Sequence, residues 1–369
     1  MIKLTIKNSF NTITRISFIR TIMTTAKPKV LRIGSIEFAH KKWEELSQIA
    51  EVIECKSKDR EEFINDLKSK YSEITSITRT FASVSQTGRF DKELAGHLPE
   101  SVKSLSHCGA GYDQIDVQPY TDKGIQVSNV TVPVEGPTAT TAVYLALAAT
   151  RNFQIGHDLT VKGEWPRGGK CAGAPIGYDA EGKTLGILGL GGIGRAILSR
   201  MKPFGYEKVI YHNRSRLSPE LENGAEYTKF DDFLSQSDVI MVSIPLNPNT
   251  ENLINKETIS KMKDGVVIIN TARGAIINEK DLYQALKDNK IRAFGSDVFA
   301  REPEVAQELL DLPNVVSLPH MGTHTYEAIQ NMEEWVISNV TEFLQTGKVK
   351  TIVPEQDISE LAVKPIVSK

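Results

Sequence analysis

Three side chains in the C-terminal third of the chain could together reduce a carbonyl. Arg273, Glu302 and His320 each lie at or just past the end of a short apolar run, at 266–270, 291–299 and 315–318. Such runs read as buried strands. Hydride transfer to a carbonyl needs a nicotinamide cofactor, a proton donor and a clamp for the charge on the substrate. Histidine supplies a proton near neutral pH. A carboxylate beside it fixes one tautomer and favours the imidazolium. An arginine can grip a carboxylate and polarise the carbonyl next to it. Each residue also has a plainer reading: His320 as a structural histidine, Arg273 as a helix cap, Glu302 as a loop acid before Pro303. Their shared position along one sheet edge is what sets them apart.

Lys183–Arg195, KTLGILGLGGIGR, reads as a cofactor site, with a plain structural turn as the alternative. The run 184–188 reads as a strand, and Gly189, Gly191 and Gly194 follow at the G-x-G-x-x-G spacing before a helical stretch that ends near Pro203. The first glycine makes the tight turn, the second lets backbone approach a pyrophosphate, and the third lets helix pack on strand. The helix N-terminus then offers free N–H groups to phosphate. The next strand, 208–211, runs into His212-Asn213-Arg214-Ser215-Arg216. An acid normally binds the ribose 2′-hydroxyl of NAD at this place. Asn213 stands there instead, beside Arg214 and Arg216, and arginine forks suit a 2′-phosphate. The reading therefore favours NADP(H), with NAD(H) as the alternative. Two arginines that merely face solvent would look the same.

The elements that must position these groups alternate between short strands and helices. Strands are expected at 29–33, 52–54, 76–79, 102–106 and 126–130, and again at 184–188, 208–211, 239–244, 266–270, 291–299 and 315–318. Helices are expected at 41–49, 60–69, 138–151, 257–262, 279–288 and 325–344. That alternation implies parallel sheet covered on both faces. The loop His107-Cys108-Gly109-Ala110-Gly111-Tyr112-Asp113 follows one strand, where ligands sit in doubly wound sheets. Its glycines would let successive N–H groups form an anion nest; a plain strand-to-helix turn remains the other reading. The stretch 163–177 reads as an irregular arm.

The chain has 369 residues, enough for about two domains. With 44 Lys and Arg against 46 Asp and Glu, its net charge of −2 exerts no global pull toward nucleic acid or membrane. No apolar run approaches the ~20 residues that span a bilayer. Cys55, Cys108 and Cys171 have no metal-ligand spacing, and their low, odd number suits a reducing compartment. No metal site is expected. Residues 1–36 carry seven Lys and Arg but no acid, the composition of a mitochondrial presequence. The alternatives are a disordered tail and an upstream extension before a second start at Met23, so the expected location is mitochondrial, cytoplasmic or both.

The spans NTARG (270–274), GSDVFAREP (295–303) and LPHMGTHT (318–325), with GLGGIG (189–194), resemble the D-isomer-specific 2-hydroxyacid dehydrogenases. The resemblance covers about residues 30–350. HCGAGYDQIDV and KMKDGVVIINTARG are similar to the fungal glyoxylate reductase and hydroxyisocaproate dehydrogenase branch. It implies two doubly wound, Rossmann-like α/β domains with the active site in the cleft between them. The substrate domain would be 28–131 with 325–369, the dinucleotide domain 132–324, and 1–27 a leader. Arg273 matches the family's substrate arginine, Glu302 its acid partner and His320 its proton donor. Ala110 and Gly111 match the N–H groups that cradle the substrate carboxylate. Gly192 and Ile193 match the pyrophosphate backbone, Asp297 the acid on the nicotinamide carboxamide, and Thr271 is counted among the cofactor contacts. A homodimer through 138–151 is implied. Thr138-Ala139-Thr140 departs from the family by lacking an acid, and Glu302 argues against the formate dehydrogenases, which carry glutamine there. The expected activity is NAD(P)H-dependent reduction of 2-oxoacids, such as glyoxylate to glycolate or hydroxypyruvate to D-glycerate. Two rivals are an enzyme for bulkier branched or aromatic 2-oxoacids and a nucleotide-sensing scaffold like the family's corepressors.

Overall fold

A computed structural model describes residues 26–165 and 170–367. The expected leader lies outside the described residues except at Ala26 and Lys27, as does the arm at 166–169.

Two parallel sheets organise the chain. The first contains β1 (Lys29–Ile33), β2 (Glu51–Glu54), β3 (Ile74–Thr80), β4 (Ser104–Cys108) and β5 (Gln126–Ser128), in the order β2-β1-β3-β4-β5. The second contains β6 (Thr184–Leu188), β7 (Lys208–His212), β8 (Glu226–Tyr227), β9 (Val239–Val242), β10 (Val266–Asn270), β11 (Ile291–Ser296) and β12 (Val315–Ser317). Its order is β12-β11-β10-β9-β6-β7-β8. Both are doubly wound, and each reverses direction of winding beside its first strand, which opens a crevice at the strands' carboxyl ends. The central strands VIMV (β9) and VVIIN (β10) are buried at every residue. A sheet covered on both faces needs such unbroken apolar runs. The first sheet also buries hydroxyls, satisfied in pairs across strands: Ser104 with Ser76 and Ser106 with Ser128, each at 2.8 Å.

Two long helices tie the sheets together. Helix α1 (Val132–Arg151) leaves the first sheet and lays Ala139, Ala142, Leu145 and Ala146 against Leu185, Ile187 and Ile269 of the second. It begins six residues before the expected start at 138. Pro133 sits in its first turn, where a missing N–H costs nothing. The bond that Pro137 omits would have gone to Pro133, so the second proline interrupts only the open end of the helix. The second sheet supplies the helix α2 (Gly192–Met201), discussed below. Helix α3 (Tyr326–Thr346) returns the chain to the first sheet. The Thr325 hydroxyl caps it by accepting the Ala328 N–H at 3.1 Å, and Gly347 ends it at φ +77°. Its face of Ile337, Val340, Phe343 and Leu344 packs on Val30, Trp43 and Leu46.

The strand expected at 291–299 stops at Ser296. The Ser296 hydroxyl donates to the Val298 carbonyl at 2.7 Å and turns the chain out of the sheet. Asp297 thus opens a loop instead of lying within a strand.

Candidate active site

Arg273 is aimed by a turn folded around the buried Asn270. The Asn270 side chain accepts from the Ala272 N–H at 3.0 Å and donates to the Arg273 carbonyl at 2.9 Å. Thr271 is buried inside that turn. A Cβ on Gly274 would overlap the backbone of Phe299 and Ala300, so only glycine lets the Arg273 loop lie against the Glu302 loop.

Glu302 and His320 meet directly. The His320 Nδ1 lies 2.7 Å from Glu302 Oε2, and Glu302 Oε1 accepts the Phe299 N–H at 2.8 Å. Burial pushes the Glu302 carboxyl up, but the bonds from His320 and Phe299 and the nearby Arg273 charge outweigh it. The net result lies below the ordinary glutamate value. The pairing makes Nδ1 the donor to Glu302 and leaves Nε2 without an acceptor among the described residues.

His320 adopts φ +52°, a left-handed conformation unusual for a residue with a side chain. Asp297 holds it there. The Asp297 carbonyl accepts the His320 N–H at 2.8 Å, and its carboxylate accepts the N–H groups of Met321 and Gly322, each at 2.8 Å. Burial nevertheless leaves the Asp297 carboxyl above its ordinary value. Sequence reading matched Asp297 to a cofactor amide; within the chain its visible work is to shape the His320 loop.

The first sheet contributes the opposite wall. After β4, the carbonyls of Gly109, Ala110 and Gly111 are each tied back, to the Val130 N–H at 3.0 Å, the Asn129 side chain at 2.7 Å and His107 Nε2 at 3.1 Å. The N–H groups of Ala110 and Gly111 have no acceptor among the described residues. That is the inventory of an anion nest, not of a satisfied turn. His107 is fully buried; burial and then the Arg79 charge press its pKa down to about 3, so it is neutral and donates through Nε2. A Cβ on Gly111 would collide with Nη2 of Arg273, so the nest and the guanidinium stand against each other.

Two residues at this site were not read from the sequence. Asp113 bonds Arg273 Nε at 2.7 Å. Phe81, just past β3, places its ring 5.5 Å from that of His320 and 5.8 Å from the Arg273 guanidinium carbon. In the sequence Phe81 looks like any core aromatic.

The glycine loop has the form a dinucleotide needs. Gly189 lies at φ +97°, and a Cβ on Gly194 would overlap the Gly189 carbonyl oxygen. A Cβ on Gly191 would meet open space, the side from which a phosphate can approach. Helix α2 starts at Gly192 with no side-chain cap among the described residues, so its first N–H groups are open to an anion. Gly192 abuts the Glu135 side chain, and Ile193 packs on the core beside α1. Asn213 braces the loop, its Oδ1 accepting the Leu190 N–H at 2.7 Å. The paired-arginine expectation needs correction at Arg216, whose Nε binds Glu222 at 2.8 Å. Arg214 is exposed and has no ion-pair partner among the described residues. No group of three His, Cys, Asp or Glu among the described residues could hold a metal.

The comparisons agree with this geometry. The profile of the family "D-isomer specific 2-hydroxyacid dehydrogenase, NAD binding domain" matches residues 143–322. Glyoxylate reductase 1 of Saccharomyces cerevisiae is 54% identical over 333 residues, covering 89% of this chain and 95% of the relative. The 4-methyl-2-oxopentanoate reductase A of Aspergillus oryzae is 46% identical, covering 89% of this chain and 98% of the relative. The crystal structure of a glyoxylate reductase from Paecilomyes thermophila superposes with a TM-score of 0.87 at 43% identity, over 90% of this chain and 100% of that one. The chain belongs to the D-isomer-specific 2-hydroxyacid dehydrogenase family.

Proposed function

We propose that the chain reduces short 2-oxoacids to 2-hydroxyacids, glyoxylate to glycolate and hydroxypyruvate to D-glycerate, with NADPH preferred over NADH. As a family member it is an oxidoreductase acting on CH–OH groups and their carbonyl counterparts. The observation that carries the proposal is the His320–Glu302 pair at 2.7 Å beside Arg273 and the 110–111 nest.

The substrate carboxylate binds Nη2 of Arg273 and the N–H groups of Ala110 and Gly111. This places the 2-oxo group toward His320. Reduced nicotinamide nucleotide held at Gly189–Gly194 supplies a hydride when bound. The carbonyl electron pair moves to oxygen as the new C–H bond forms, and that oxygen takes the proton from His320 Nε2. Glu302 holds the imidazole through Nδ1 so that Nε2 faces the oxygen. Arg273 stabilises charge developing there. Contact between the loops of the two sheets excludes water.

Arg214 supports the NADPH preference as an exposed cation, without an ion-pair partner among the described residues, near the strand end where the ribose is expected. A homodimer through α1 and the following arm belongs to the same reading, since Tyr144, Phe153, Trp165 and Ile176 leave an apolar set exposed there. The acid-free leader supports mitochondrial import, which fusion of residues 1–25 to a reporter would test. A second reading, preference for branched 2-oxoacids, is favoured by the similarity to the Aspergillus oryzae reductase.

Steady-state reduction of glyoxylate, hydroxypyruvate and 2-oxoisocaproate, each with NADPH and NADH, tests the proposal. The highest kcat/KM is expected for glyoxylate or hydroxypyruvate with NADPH. A preference for 2-oxoisocaproate would move the assignment to the branched-acid reading, an NADH preference would overturn the cofactor argument, and no turnover would refute the function.

A further inference from the structure

We propose that Asp113 is the positioning residue of the substrate arginine, setting the direction of the Arg273 guanidinium when the loops of the two sheets meet. The inference rests on the function proposed above.

The donors of Arg273 are divided among different partners. A guanidinium on a flexible stem has many orientations, and a carboxylate bonded to Nε fixes its plane. Asp113 Oδ1 makes that bond at 2.7 Å, and both side chains are about four-fifths buried, at 19% and 23% exposure. Nη1 donates to the Ala272 carbonyl at 2.8 Å. Nη2 is left without an acceptor among the described residues, and it is the nitrogen pressed against Gly111. Asp113 therefore fixes the guanidinium plane through Nε, with Nη1 tied to Ala272 and Nη2 left against the nest that takes the substrate carboxylate.

Asp113 is itself held. Arg89 donates to the Asp113 carbonyl and binds Asp116. Buried Arg79 donates to Gln114 Oε1 at 2.6 Å. The loop carrying the acid is thus held at Asp113 and just beyond it by contacts that do not involve Arg273. A rim carboxylate meeting an arginine by chance would not be braced in this way.

Asp113 follows β4 of the first sheet, and Arg273 follows β10 of the second. Theirs is the one ion pair among the described residues that joins the two sheets' loops. The clamp is consequently complete only when both domains are together. An acid so close to an anion site would otherwise oppose substrate binding; its charge is paired with Arg273 at Nε, which leaves the Nη2 donors for the substrate.

The test is the kinetics of Asp113→Ala and Asp113→Asn with glyoxylate and NADPH. Asparagine keeps an oxygen that can accept from Nε. The alanine variant should raise the glyoxylate KM at least about tenfold, as expected for losing one charge-assisted bond, with the NADPH KM within about twofold. The asparagine variant should stay within about threefold of the wild type on both constants. An alanine variant with unchanged glyoxylate KM, an equal rise in both KM values, or an asparagine variant as impaired as alanine would overturn the proposal. A wild-type protein inactive on every 2-oxoacid refutes the function itself, a result separate from any of these.

Discussion

Replacing His107 by glutamine should remove much of the acid sensitivity of the first domain. His107 is fully buried beneath the substrate loop, with Nε2 on the Gly111 carbonyl at 3.1 Å and Nδ1 without a partner among the described residues. Burial and, second, the Arg79 charge hold its pKa at about 3. In the unfolded chain an imidazole titrates near 6.5, so at intermediate pH the unfolded state takes up the proton and the folded state does not. The folded value is depressed, so this stabilisation is fully present above pH 6.5 and is lost as pH falls toward about 3. At pH 5 the gap is about 1.5 pH units, or about 2 kcal/mol in favour of unfolding. Glutamine cannot titrate, and its amide can still donate to Gly111. The readout is the difference between wild type and His107→Gln in urea unfolding from pH 7.5 to 5. Trp43 and Trp335, packed on the first domain, report the transition by fluorescence. The glutamine variant should gain about 2 kcal/mol on the wild type across that range, whatever its stability at pH 7.5. Parallel profiles, within about 0.5 kcal/mol, would show that the His107 proton is not excluded by folding and refute the reasoning.

Three further outcomes follow from the site. Gly194→Ala should weaken NADPH binding at least about tenfold in a fluorescence titration, because its Cβ must push the Gly189 carbonyl out of the turn that shapes the phosphate loop; unchanged binding would mean that the loop does not hold the dinucleotide. Phe81→Ala should raise the ratio of kcat/KM for 2-oxoisocaproate over glyoxylate roughly tenfold, the scale of one or two methylenes in an apolar pocket, since its ring closes the space over His320 and Arg273. An unchanged ratio would place the wall of the pocket elsewhere. Arg214→Ala should lower the preference for NADPH over NADH by roughly tenfold, the loss of one charged contact; an unchanged ratio would remove Arg214 from the cofactor argument.

What could be read from the sequence was local. Gly189 and Gly194 are required by one turn, Gly191 keeps open the side a phosphate would approach, and β9 and β10 announce themselves as unbroken apolar runs. Arg273, Glu302 and His320 could be singled out because strand ends are themselves visible in the pattern. Their contact was not visible: it depends on Gly274 packing against Phe299 and on the left-handed turn at His320. Asp113 and Arg273 lie 160 residues apart and on different sheets, so no spacing rule links them. One signal was present, an acid two residues past an expected anion nest, which calls for a cation beside it. Arg216 was misread for the opposite reason, since its partner Glu222 lies six residues on, within the following short helix. The helix Phe153–Val161 left no trace in the pattern because none of its residues is buried and it is joined to α1 by a left-handed Asn152.

The central claim is that His320 delivers the proton to a 2-oxoacid while the dinucleotide at Gly189–Gly194 is oxidised. The most direct test is single-turnover and steady-state reduction of glyoxylate by NADPH in the wild type and in His320→Ala, with NADPH binding measured in both. The account predicts a wild type that turns over and an alanine variant that binds NADPH normally but is slower by about 10²–10⁴-fold in kcat. An alanine variant that keeps kcat within a few-fold of the wild type would contradict it.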